Sequence, residues 1–280
     1  MTPAGTVDLR LHSVDGVLCR VERHLQVSLD RGSLVRKRRS VGAATERGTW
    51  VRIERRPVSR VDTQGWNGAE TAAALTGVSA PEWFAGVSWR EGQEAVWRAD
   101  ETALLPDAPV QSGTLTAHPA LPDEWWNQLS ASLDALAAQS TSRVATPDTA
   151  TMTQARVTGA IRRTFSPAFD TTTSIWLPAH ADLNWANVTA PRFCLFDWED
   201  WGMAPLGLDS ASLWANSLAV PDLAERVWAE RRRDLESRDG LLMAMFCLSK
   251  IVGDYADPAD PKLRPAQQAA ARIIGELVDH

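Results

Sequence analysis

The nine-residue run VTAPRFCLF, residues 188 to 196, stands between two oxygen-bearing side chains, Asn187 and Asp197. That run constrains the local fold strongly. Its first residues are β-forming, Pro191-Arg192 supplies a turn, and Phe193 to Phe196 form a short apolar strand. If Ala190 pairs with Phe193 across a hairpin, Asn187 pairs with Phe196. Asn187 and Asp197 then stand side by side at the hairpin's open end. Upstream, HADLNWAN sets His180, Asp182 and Asn187 in the spacing H-x-D-x-x-x-x-N. Asp182 therefore lies in the loop that feeds the same end.

An amide carbonyl and a carboxylate are hard oxygen donors. They suit Mg2+, which takes few protein ligands and fills its remaining positions with water and phosphate oxygens. A second carboxylate beside them can accept a proton from an attacking hydroxyl. This is also the spacing of the protein-kinase-type phosphotransfer loop. There a loop Asp acts as base, an Asn holds metal, and a later Asp bridges metal to phosphate.

Over residues 176 to 215 the chain resembles the aminoglycoside phosphotransferase and choline kinase-like family. Its pattern reads H-G-D-x-x-x-x-N, then a strand ending I-D-W-E, then G-x-P-x-x-D-L-A. The matching residues are His180, Asp182, Asn187, Asp197, Trp198, Glu199, Gly202, Pro205 and Asp209, in HADLNWAN and FDWEDWGMAPLGLDSASLW. The chain departs from the pattern at Ala181, where the family has Gly, at Ser210-Ala211, and in the tail spacing, which here runs G-x-x-P-x-x-x-D from Gly202 to Asp209. The resemblance implies an α+β, two-lobed protein-kinase-like fold. It implies phosphoryl transfer from ATP or GTP to a small-molecule hydroxyl. Asp182 would be the base, Asn187 and Asp197 would hold Mg2+, and His180 and Asp209 would support the loop. Candidate acceptors are aminoglycosides, other natural products and amino-alcohols.

Patterning along the rest of the chain agrees with two lobes. VLCRVERHLQVSLD, SLVRKRRSV and GTWVRIERR read as strands. WNGAETAAALTGV reads as a helix from Asn67 to a stop at Gly77, and PEWFAGVSW and EAVWRADETALL as two further strands. DAPVQSGTLTAHPALPDE is a connector rich in Pro, Gly, Ser and Thr. Beyond it the chain turns helical, beginning with Trp126, Leu129, Leu133 and Leu136 at spacings of three and four. The expected division is a nucleotide-binding lobe over 1–102 and a helical lobe with the catalytic loop and acceptor site over 103–280.

A kinase-type lobe pairs a strand cation with a helix Glu. Glu70 is the helix candidate. The chain has only three lysines, so the strand cation is either Arg52, on the strand before that helix, or Lys37, one strand earlier. Arginine would meet phosphate as a bidentate fork, where lysine is a point charge. Glu199 and Asp200 either line a cationic substrate site or are solvated loop acids. Trp185 and Trp201 are the two of the 13 tryptophans placed to touch a substrate; the others read as packing.

A net charge of -6 gives no basic face for nucleic acid. No stretch is apolar enough to span a membrane. Three scattered cysteines form no disulfide framework, and with no secretory leader the expected compartment is the cytoplasm. Two other functions compete. One is a non-catalytic, nucleotide-binding pseudokinase, motivated by the missing glycine-rich consensus. The other is a metal-dependent hydrolase, for which the remaining histidines, His12, His24, His118 and His280, have no ligand spacing.

Overall fold

The computed structural model describes residues 7–61, 64–111, 113–254 and 256–279. His280 lies outside them. The chain divides into two compact units. The first comprises Met1–Ala74 with Ala80–Pro106, and the second Leu75–Ser79 with Asp107–His280.

The first unit holds helix α1 (Asp15–Leu25), strands β1 (Val35–Arg36), β2 (Ser40–Ala44) and β3 (Thr49–Pro57), helix α2 (Gly68–Ala72), and strands β4 (Trp83–Glu91) and β5 (Ala95–Ala103). The strands form one antiparallel sheet in the order β1-β2-β3-β5-β4. Side chains alternate between its faces. Val41, Ala43, Val51, Ile53, Trp97 and Ala99 line one face and pack with Leu18, Val21 and Leu25 of α1. The other face carries charge. Arg52 lies opposite Asp100, and Glu54 opposite Arg98.

Two sequence expectations are corrected here. The segment VLCRVERHLQ is not a strand: most of it is α1. Leu18, Val21 and Leu25 recur at three and four residues, which is one helix stripe, and the apolar sheet face needs that cover. The helix expected from Asn67 to Gly77 stops at Ala72. The residues after it, Leu75–Ser79, belong to the second unit.

The second unit contains α3 (Asp123–Ala137), α4 (Gln154–Phe165), strands β6 (Trp176–Ala179) and β7 (Gly202–Pro205), then α5 (Leu208–Ser217), α6 (Pro221–Glu230), α7 (Arg232–Leu235), α8 (Arg238–Val252) and α9 (Leu263–Asp279). Asp239 through Ser249 are all buried, so α8 is the central helix, apolar around nearly its whole girth. Helices α4, α5, α7 and α9 surround it. At its first turn, the Asp239 carboxylate accepts the backbone N–H groups of Ser174 and Ile175, which fixes the chain entering β6. β6 and β7 pair antiparallel, Ala179 opposite Gly202, so the loops after β6 and before β7 emerge together. No helix among the described residues is long and apolar enough to cross a membrane.

The fully buried Leu18 tests the reassigned helix. Leu18→Ala should cost about 3 kcal/mol in urea unfolding, as a truncated core leucine does, while Cys19→Ala on the exposed side of α1 should change little.

Candidate active site

The hairpin forms in the expected register. Val188 bridges Leu195, the Thr189 N–H donates to the Cys194 carbonyl at 3.1 Å, and the Phe196 N–H donates to Asn187 at 3.0 Å. The two strands are too short to hold alone. On one edge, the Leu195 N–H donates to Ser79 at 2.8 Å and the Ser79 hydroxyl donates to Phe193 at 2.9 Å. On the other, Pro109 bridges Thr189 and the Val110 N–H donates to Val188 at 2.9 Å. From below, the Trp125 indole of α3 donates to the Thr189 carbonyl at 2.7 Å.

The open end gathers the polar residues. The Asn187 amide donates through Nδ2 to both the Asp182 carbonyl and its carboxylate Oδ2, each at 2.8 Å. Asn184 donates to the same carboxylate at Oδ1, at 3.2 Å. Because the Asn187 NH2 group is spent on Asp182, its carbonyl oxygen is the side-chain atom left to meet a cation. Asp197 follows the second strand at φ 69°. Asn and Asp tolerate this left-handed backbone better than most residues.

Asp209, at the start of α5, reaches back to the loop. Its two oxygens accept the backbone N–H groups of His180 at 2.7 Å and Ala181 at 2.8 Å. Burial pushes its carboxyl up to about 6 against those two donors. Gly207 precedes it at φ 88°, close against the Gly240 backbone, a turn that a side chain would obstruct. Ala181 itself sits at φ 68°. The loop thus adopts, with an alanine, a backbone that suits glycine.

His180 is fully buried, its ring edge-on to Trp198 at 4.7 Å. Its Nε2 lies 3.0 Å from the Phe196 carbonyl and its Nδ1 lies 3.4 Å from the Asp182 N–H. Both contacts fit a neutral ring protonated on Nε2. Burial drives its pKa down to about 4, although Asp197 favours the charged form. Asp182 has an exposed side chain, yet the protein packed around the loop and the charge of Asp197 push its carboxyl up to about 6. The Asn187 hydrogen bond opposes that rise.

Other expectations are redistributed. Trp185 is 2% exposed, stacked on Trp125 and donating to the Ser217 hydroxyl at 3.0 Å. Trp201 is 4% exposed beneath the Arg143 guanidinium. Both are packing residues, which corrects the expectation that they face a substrate. Asp200 accepts the Thr146 hydroxyl at 2.7 Å, and the Glu199 backbone carbonyl accepts from Arg143 at 3.4 Å. In the first unit, Glu70 pairs with Arg98 of β5 at 3.1 Å, where a partner on Arg52 or Lys37 was expected. Arg98 also holds Asp100 at 2.5 Å, and Arg52 has Glu54 at 3.8 Å. Lys37 is exposed in the turn between β1 and β2. Sequence reasoning missed Arg98, Arg143 and Thr146. Arg98 alternates in step with Asp100 on a strand already recognised, and that phase was its only signal. Arg143 and Thr146 lie in a loop with no motif.

The donor set is oxygen only, an amide and carboxylates, and so fits a hard divalent cation. Among the described residues no three His, Cys, Asp or Glu side chains converge as a metal centre.

Two expectations concern the loop backbone and His180. Ala181→Gly relieves a left-handed alanine worth about 1–2 kcal/mol, against about 0.5–1 kcal/mol of added chain entropy. Its melting midpoint should rise by about 2 °C. In the unfolded chain His180 takes a proton near the ordinary 6.5; folded, it refuses one until about 4. Acidification between those values therefore favours the unfolded chain, and above 6.5 the residue imposes no pH dependence. Asp182 and Asp209 act oppositely, because their folded values lie above the ordinary 3.8. The stability advantage of wild type over His180→Gln should accordingly shrink from pH 7 to pH 5 in parallel urea titrations.

No protein-family profile and no curated protein matches the chain. Solved structures do. The amicoumacin kinase hAmiN, in complex with AMP-PNP, Ca2+ and Ami, superposes with a TM-score of 0.56 at 12% identity, covering 95% of this chain and 93% of that one. A thermostable mutant of aminoglycoside phosphotransferase APH(4)-Ia, with AMP-PNP and hygromycin B, gives 0.59 at 14% identity over 93% and 98%. The putative fructosamine-3-kinase of Thermobifida fusca gives 0.54 at 14% identity over 93% and 100%. With an antiparallel five-stranded sheet in one unit and helices packed around α8 in the other, the chain has the two-lobed, protein-kinase-like fold of these small-molecule kinases and phosphotransferases.

Proposed function

We propose that the protein is an ATP- or GTP-dependent O-phosphotransferase acting on a small hydroxylated molecule, a natural product such as an aminoglycoside or an amino-alcohol. The observation that carries this reading is the direct bond between the Asp182 carboxylate and the Asn187 amide, at the end of the hairpin that delivers Asp197. Structural likeness to kinases crystallised with AMP-PNP and with amicoumacin or hygromycin B supports the substrate class.

In this reading Asp182 orients the acceptor hydroxyl and accepts its proton as the oxygen attacks the γ-phosphorus and the nucleoside diphosphate leaves. A raised pKa brings its basicity nearer to working pH. Asn187 and Asp197 hold Mg2+, which neutralises phosphate charge when bound. His180 stays neutral and structural, and Asp209 fixes the backbone of the loop. The first unit is the nucleotide-binding lobe. Arg52 or Lys37 is the cation facing phosphate, and Arg98 occupies Glu70.

That last pair also favours a second reading. With its helix Glu held by β5, the chain could be a nucleotide-binding module without turnover. The two readings separate in one experiment. The wild type should transfer phosphate from ATP or GTP to at least one member of a panel of aminoglycosides, other hydroxylated antibiotics and amino-alcohols. Asp182→Ala should lose about 10²–10⁴-fold in rate while its affinity for AMP-PNP changes little. Nucleotide binding with no transfer to any acceptor would favour the module.

A further inference from the structure

One segment of the second unit lies outside every motif yet grips the loop that carries Asp197. Residues 143 to 146 run parallel to residues 200 to 203, with Val144 bridging Met203. The Met203 N–H donates to the Arg143 carbonyl at 2.8 Å, and the Ala145 N–H donates to Met203 at 3.1 Å. Contact is so close that a β-carbon on Gly202 would lie 2.6 Å from the Ala145 nitrogen. Arg143 is buried, with its guanidinium 5.0 Å from the Trp201 ring centroid. Nε donates to the Trp201 carbonyl at 3.1 Å and Nη2 to the Glu199 carbonyl at 3.4 Å. Thr146 completes the clamp. Its N–H donates to the Asp200 carbonyl at 2.9 Å and its hydroxyl to the Asp200 carboxylate at 2.7 Å.

A buried guanidinium bonded to backbone carbonyls is held inside the protein. Its effect is to hold the loop's turn in place. That turn begins one residue after Asp197, whose own φ of 69° needs support from its surroundings. Between Asp197 and that turn, Trp198 is locked by its indole donating to the Leu195 carbonyl at 2.8 Å and by the His180 ring. The chain that leaves Asp197 is thus anchored continuously from Trp198 to Met203.

We infer that Arg143 and Thr146 are positioning residues that set the Asp197 carboxylate for a divalent cation, so that the segment between α3 and α4 tunes metal affinity. The inference rests on the phosphotransferase reading and adds residues that the motif does not contain. Outer residues that orient a metal ligand typically change metal affinity by about 10–100-fold when removed.

The test is calorimetric titration of AMP-PNP into the full chain, in EDTA and across a Mg2+ series. Arg143→Met and Thr146→Val should leave the metal-free AMP-PNP affinity within about two-fold of wild type. The Mg2+ concentration for half-maximal enhancement should rise about ten-fold in Arg143→Met and less in Thr146→Val. Thr146→Ser, which keeps the hydroxyl donor, should restore the wild-type requirement. If Arg143→Met does not fold, the Thr146 pair decides alone. An unchanged Mg2+ requirement, or an equal loss with and without Mg2+, overturns the positioning role and leaves the phosphotransferase reading standing. A wild type with no Mg2+-dependent AMP-PNP binding overturns both.

Discussion

The loop between β6 and the hairpin depends on one buried carboxylate. Asp209 spends both oxygens on the backbone N–H groups of His180 and Ala181. Those amides belong to a turn with a left-handed alanine, a conformation that isolated alanine avoids. Without an acceptor there, two buried donors would be orphaned in a strained turn. With it, the chain after β6 is directed into the position from which Asp182 meets Asn187. The helix that carries Asp209 packs on α8, so the core of the second unit and the geometry of the loop are one construction.

Around that point the site divides its labour. Buried groups shape the backbone: His180 stays neutral against Phe196 and Trp198, Trp185 is lost into the aromatic cluster of α3, and Arg143 clasps the turn after Asp197. Asp182 stays exposed and Asp197 half-buried. Burial, and after it the charge of Asp197, raises the pKa of Asp182.

Much of this was legible locally. The hairpin register followed from Pro191-Arg192 and the apolar run after it, and strands β3, β4 and β5 followed from alternation. Failures have physical reasons. VLCRVERHLQ contains enough β-branched and apolar residues to pass for a strand, and only its three-four spacing of Leu18, Val21 and Leu25 marks a helix. Trp185 and Trp201 lie inside a motif, where proximity in sequence suggests contact with substrate, but large aromatic side chains are drawn into the core by the area they bury.

By itself the sequence determined the hairpin's register, because register is a local property of turn and alternation. It determined too that the chain changes from sheet to helix near the connector at residues 107–124. Tertiary structure decided what long-range packing alone can choose. It gave Glu70 of α2 to Arg98 of β5, since residues 28 apart meet only once the helix has packed against the sheet. It placed Arg143 beneath a loop 56 to 58 residues further on. Such partners share no spacing, and the burial that selects them exists only in the folded chain.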